Sequence, residues 1–291
     1  MKKKRRRRKK TMNRKILLLT VLMIGLTMFF SVVLNDWRLK VGEQAEFGKI
    51  YANKPLVLPF QDEVDKWKPS DKPRSYLDHL RYFAALKLQQ DDDSYVRIST
   101  LGSSVTEGAG ASDPRKKWST QLFKYIKAQE GLFRFDLMVN GFGGYNTREI
   151  LEEDKVDLVI AQKPNLILFE TCMLNDHGEG IPIQESLKNI AKVVNKFNKK
   201  LPNAEVILIS PNPKGIKQDV PNSLGLYMDD YNSAIKQYIH NQGWEYIDIY
   251  GSFKIKYKKK IDSVLTDGVH PNDLGYQFWF ETLEKEFEKK R

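Results

Sequence analysis

Two hydrophobic patterns divide this chain. Ile16 to Leu34 runs for nineteen residues without a charge, ILLLTVLMIGLTMFFSVVL. From Tyr95 onward the apolar residues come instead in short bursts, separated by amphipathic stretches of helical period. The bursts predict five strands: Tyr95 to Thr100, Phe133 to Val139, Leu166 to Phe169, Ala204 to Ile209 and Tyr246 to Ile249. The stretches between them predict helices over Lys116 to Gln129, Thr147 to Ala161, Ile183 to Asn198, Met228 to Gln242 and Asp273 to Lys289. Short apolar strands alternating with helices imply an α/β fold, a parallel sheet with both faces covered. Ligands in such sheets bind beyond the carboxyl ends of the strands. Upstream, Ser75 to Gln90 also has helical period, with Leu77, Leu80, Ala84 and Leu88 on one face.

The uncharged run is long enough to matter. As a helix it spans roughly 28 Å, about one hydrocarbon core. Trp37 follows it, where an interfacial aromatic belongs. Residues 1–15 carry eleven Lys and Arg and no acid, which equals the whole formal net charge of +11. The rest of the chain is therefore balanced, and the basic tail is the flank of a membrane span rather than a nucleic-acid patch. The positive-inside rule puts that tail in the cytoplasm and everything after Leu34 outside. The stretch FFSVVLND has no small-residue cleavage site, so an uncleaved signal anchor is expected. The expected organisation is a cytoplasmic tail (1–15), a transmembrane anchor (16–34), a stem and N-terminal extension (35–93) and a catalytic domain (94–291). Cys172 is the only cysteine, so no intrachain disulfide forms. No Cys/His spacing suggests a metal site.

Candidate chemistry falls after the strands. The first strand leads into Gly102-Ser103-Ser104-Val105-Thr106-Glu107-Gly108, a turn that can expose the Ser104 hydroxyl beside backbone N–H groups. Alone it reads better as an ordinary loop serine. The second strand leads into Phe142-Gly143-Gly144-Tyr145-Asn146-Thr147, and the third into Met173-Leu174-Asn175-Asp176-His177. Asp267 and His270 lie three residues apart just before the last helix. A carboxylate so placed can hold one imidazole nitrogen while the other faces a site. The same residues also suit a capped turn with a surface histidine.

This set, in this order, resembles the SGNH (GDSL-like) hydrolase superfamily over about residues 94–290. GSSVTEG matches the family's G-D-S-x-T-x-G except at Ser103, where the family has Asp. FGGYNT resembles its F-S-G-Y-N-T form. MLND matches G-x-N-D except at Met173. The resemblance implies a flavodoxin-like three-layer α/β/α sandwich with a five-stranded sheet. It implies Ser104 as nucleophile, His270 as base and Asp267 as its orienting acid. The oxyanion hole falls on Ser104, Gly144 and Asn175, and no cofactor is required. The expected function is a membrane-tethered serine esterase removing small acyl groups, such as O-acetyl, from extracytoplasmic envelope polysaccharide. An O-acetyltransferase served by a multi-span acyl-donor membrane protein uses the same residues. A lipase or lysophospholipase and a non-catalytic glycan-binding module are further alternatives. Tyr145 and His177 are candidate substrate-binding residues. Trp118 could stack on a sugar ring but suits a core better.

Overall fold

A computed structural model describes residues 65–68, 74–89, 95–129, 131–132 and 134–291. The anchor expected at Ile16 to Leu34 and the tail before it lie outside the described residues. Among the described residues no helix is long and apolar enough to cross a membrane.

Five parallel strands form one sheet in the order β2-β1-β3-β4-β5: β1 (Val96–Gly102), β2 (Phe135–Gly141), β3 (Leu166–Glu170), β4 (Glu205–Ile209) and β5 (Glu245–Ile247). All five expected strands are present. Every residue of the central strand β3 is buried, which explains its unbroken apolar run. β2 lies at an edge and leaves Met138 and Val139 exposed. Both β1 and β2 run two residues further than expected, pairing Leu101 with Asn140 and Gly102 with Gly141. Glycine allows the last pair. A Cβ on Gly141 would lie 2.0 Å from the Glu107 nitrogen, and one on Gly102 2.2 Å from Thr106 Oγ1.

Ten α-helices accompany the sheet among the described residues: α1 (Tyr76–Gln89), α2 (Ser104–Glu107), α3 (Trp118–Lys127), α4 (Thr147–Glu152), α5 (Lys155–Ala161), α6 (Met173–Gly178), α7 (Ile183–Lys200), α8 (Met228–Asn241), α9 (Ile249–Tyr257) and α10 (Asp273–Glu288). Helices α1, α3, α9 and α10 pack together, and α4, α5, α7 and α8 form a second group, which makes the three layers. The helix expected over Thr147 to Ala161 is two helices. Asp154 breaks it by adopting φ +55°. Trp118 is buried and stacks on Trp279 at 5.8 Å, so it is a core residue.

Helix α1 joins the body rather than a stem. Its Tyr76, Leu77, Leu80 and Ala84 enter the main core cluster, and Arg74 exchanges two backbone hydrogen bonds with Arg291. The compact body therefore includes α1, upstream of residue 94.

Candidate active site

The chain runs from β1 to the edge strand β2, then returns past β1 to β3. The strand order thus reverses between β1 and β3, the place where an open parallel sheet leaves a crevice at its carboxyl edge. Ser104 follows β1 there, and Asn175 follows β3. Ser104 is the first residue of the one-turn helix α2. The Ser103 hydroxyl caps that helix by accepting from the Val105 N–H, and Gly108 closes it with φ +95°. Two aromatic groups hold its far end. Trp118 Nε1 donates to the Val105 carbonyl, and the Tyr276 hydroxyl donates to Ala109 O at 2.7 Å.

The loop before α10 brings an imidazole to Ser104. His270 Nε2 stands 2.9 Å from Ser104 Oγ, and its Nδ1 stands 2.7 Å from Asp267 Oδ2. The other oxygen of Asp267 accepts the N–H groups of Val269 and His270. One carboxylate therefore caps the turn and holds the imidazole, and His270 is partly buried rather than on the surface. Partial burial works against its ionisation, but the backbone N–H of His270, its ring and the Val269 N–H outweigh that and lower its pKa to about 2. Neighbours brace the loop. Thr266 N–H donates to His270 O, Asn212 Nδ2 to Val269 O and Gly215 N–H to Gly268 O. The segment after β4 thus supports this loop from behind.

Three further donors share the sheet edge. Neither the Ser104 nor the Gly144 N–H has a hydrogen-bond partner among the described residues. Gly144 adopts φ +82°, with nothing within 4 Å of where a Cβ would be. The Asn175 side chain is held by donating one amide hydrogen to Tyr145 O at 2.7 Å, leaving the second for a ligand. A serine hydroxyl beside an imidazole, an acid behind it and N–H donors around it can take a proton, attack a carbonyl and hold the resulting oxyanion.

The chain matches the GDSL-like lipase/acylhydrolase family over residues 100–278, more than half of its length. It belongs to that family. Like its relatives, it is a serine esterase acting on ester bonds. Solved structures share the fold. An acetyl xylan esterase, AlAXEase, is 21% identical with a TM-score of 0.55, the match covering 65% of this chain and 98% of that one. Axe2, an acetylxylan esterase from Geobacillus stearothermophilus, is 18% identical with a TM-score of 0.55, covering 67% of this chain and 95% of its own. A two-domain esterase (CEX) active on acetylated mannans is 16% identical with a TM-score of 0.54, covering 74% of this chain and 53% of its own. No curated protein matches this sequence.

Two candidate residues of this GDSL-like esterase have other partners. His177 is buried. Its Nε2 donates to Leu226 O, and its Nδ1 accepts from Lys214 Nζ at 2.9 Å. Burial, aided by the Lys214 charge, lowers its pKa and keeps it neutral. It therefore pins the segment after β4 instead of facing a substrate. Tyr145 is half-buried, with its ring against Phe142 and its hydroxyl on Glu153, and it keeps a partly exposed face.

Sequence reasoning left two buried acids of the esterase without a role. Asp176 accepts the Thr147 N–H at 2.8 Å and its hydroxyl at 2.9 Å, tying α4 to α6 and so the Gly144 loop to Asn175. Burial pushes its carboxyl up to about 6. Glu170, at the end of β3, lies directly under Ser103. The Asp176 signal was present in the N-D pair, but that of Glu170 was hidden inside an apolar strand.

Proposed function

We propose that this esterase hydrolyses small acyl esters, O-acetyl groups above all, on polysaccharide of the cell envelope, and does so by a Ser104–His270–Asp267 triad. The unbroken hydrogen-bonded line from Ser104 Oγ through both nitrogens of His270 to Asp267 carries this reading. Ser104 Oγ attacks the ester carbonyl while His270 Nε2 takes its proton. Asp267 keeps Nδ1 protonated and offsets the imidazolium charge. The Ser104 and Gly144 N–H groups and the Asn175 amide hold the tetrahedral oxyanion. Collapse releases the sugar hydroxyl, which receives the proton from His270. Water then repeats the cycle on the acyl-serine and releases the carboxylic acid.

The acetyl preference is supported by the acetylated glycans named for three structural neighbours. Residues 1–34 support the site of action. A basic tail and an uncharged nineteen-residue run would tether the esterase to a membrane with its body outside, next to envelope glycan. Full-length protein and its Ser104→Ala variant should be compared on p-nitrophenyl acetate and on acetylated oligosaccharides. Ser104-dependent acetate release from the sugars, at a rate indifferent to added acceptor, is expected. Turnover that requires a sugar acceptor and yields acetyl-sugar would replace hydrolysis by transfer. Turnover unchanged by Ser104→Ala would refute the triad.

A further inference from the structure

Glu170 is fully buried at the carboxyl end of β3, beneath the nucleophile turn. Its Oε2 accepts the Ser103 N–H at 2.8 Å and the Ser103 hydroxyl at 2.7 Å, with the Thr106 hydroxyl further away at 3.4 Å. Its Oε1 accepts the Cys172 N–H at 2.9 Å. Ser103, Thr106 and Cys172 are themselves buried. These partners lie on two catalytic loops. Ser103 precedes the nucleophile and caps its helix, and Cys172 precedes α6, which carries Asn175.

We propose that Glu170 is a positioning residue for ester hydrolysis, whose carboxylate couples the Ser104 turn to the Asn175 helix and holds the oxyanion donors in register. The proposal rests on the assignment of Ser104 as nucleophile. Glu170 takes the Ser103 N–H, and the Ser103 hydroxyl takes that of Val105. The Ser104 N–H between them is left as the amide available to a ligand. The carboxylate form has a specific reason. Each of its oxygens faces a backbone N–H, which can only donate. A glutamine has the same size, but in either orientation its NH2 group meets one of those N–H groups. A group needed only for volume would tolerate that exchange, whereas a group needed as a two-sided acceptor would not.

The test is Glu170→Gln in the full-length chain, with p-nitrophenyl acetate as substrate and a fluorophosphonate as a probe of Ser104. Circular dichroism reports whether the variant folds. The expected result is a folded protein whose kcat falls about 10²-fold with KM unchanged, the scale of a small misplacement of reacting groups. Phosphonylation of Ser104, in which Oγ displaces fluoride, should slow in step. A folded variant with parental kcat, or one impaired in KM alone, overturns the proposal. If Glu170→Gln does not fold, Ser103→Ala decides. It removes one donor to Glu170 together with the α2 cap and leaves both backbone bonds to Glu170, so kcat should drop several-fold with KM unchanged, and parental kcat overturns the proposal. Turnover that survives Ser104→Ala would instead sink the nucleophile assignment, which separates the two failures.

Discussion

Asp267 shows how much one side chain carries at this site. Its two oxygens divide the work between the turn and the imidazole. Asp267→Asn can still accept from the turn but offers an NH2 to His270 Nδ1 and so favours the wrong tautomer. A fall in kcat of up to roughly 10⁴ is expected from steady-state kinetics. Asn175→Ala removes the proposed oxyanion donor and should cost on the order of 10²–10³ in kcat while the thermal melt stays close to that of the parent. Asp176 gives a pH signature. Its folded-state pKa of about 6 lies above the ordinary value of 3.8. The folded protein holds that proton more tightly than the unfolded chain does. The contribution is full below about pH 4 and is lost as pH rises to about 6. Denaturant unfolding of Asp176→Asn across that window should lose this slope. The residues legible in the sequence were those with a local mark: a Ser between glycines, an Asp three before a His. Glu170 had none, because it meets Ser103 across 67 positions.

At the scale of elements, α2 and β2 are in close contact. Gly141→Ala would drive a Cβ into the backbone of Glu107, where no side chain can swing aside. Overpacking of this kind costs about 1–3 kcal/mol. A lowered melting temperature and a loss of kcat are both expected, because α2 carries Ser104. The two shortest unexpected helices share a cause. Helices α2 and α6 have four and six residues, too few for a hydrophobic period to register. The Ser103 hydroxyl caps α2, whereas α6 has no side-chain cap and is held through Asp176, which accepts from Thr147. The break between α4 and α5 depends on the left-handed backbone of Asp154, which the apolar periodicity on either side hides.

At the scale of the whole molecule, α1 closes the body. The Tyr76 hydroxyl donates to Glu245 of β5, His79 meets Glu205 on β4, and the Tyr76 ring packs edge-on against Phe287 of α10. A chain beginning near residue 60 should melt cooperatively. One beginning at residue 94 should expose that apolar seam and lose cooperativity or solubility. The amount and sharpness of the thermal transition would check this.

The sequence by itself determined the strand–helix alternation, the parallel sheet and the four motif loops, because periodicity and glycine placement are local properties. It also determined the order of the reactive residues along the chain. The tertiary structure alone decided what met what. It put His177 under a loop and Trp118 in the core, brought α1 into the body, and set Glu170 beneath the Ser104 turn. Those outcomes depend on packing between residues far apart in the chain, and a local pattern of polar and apolar positions carries no record of that distance.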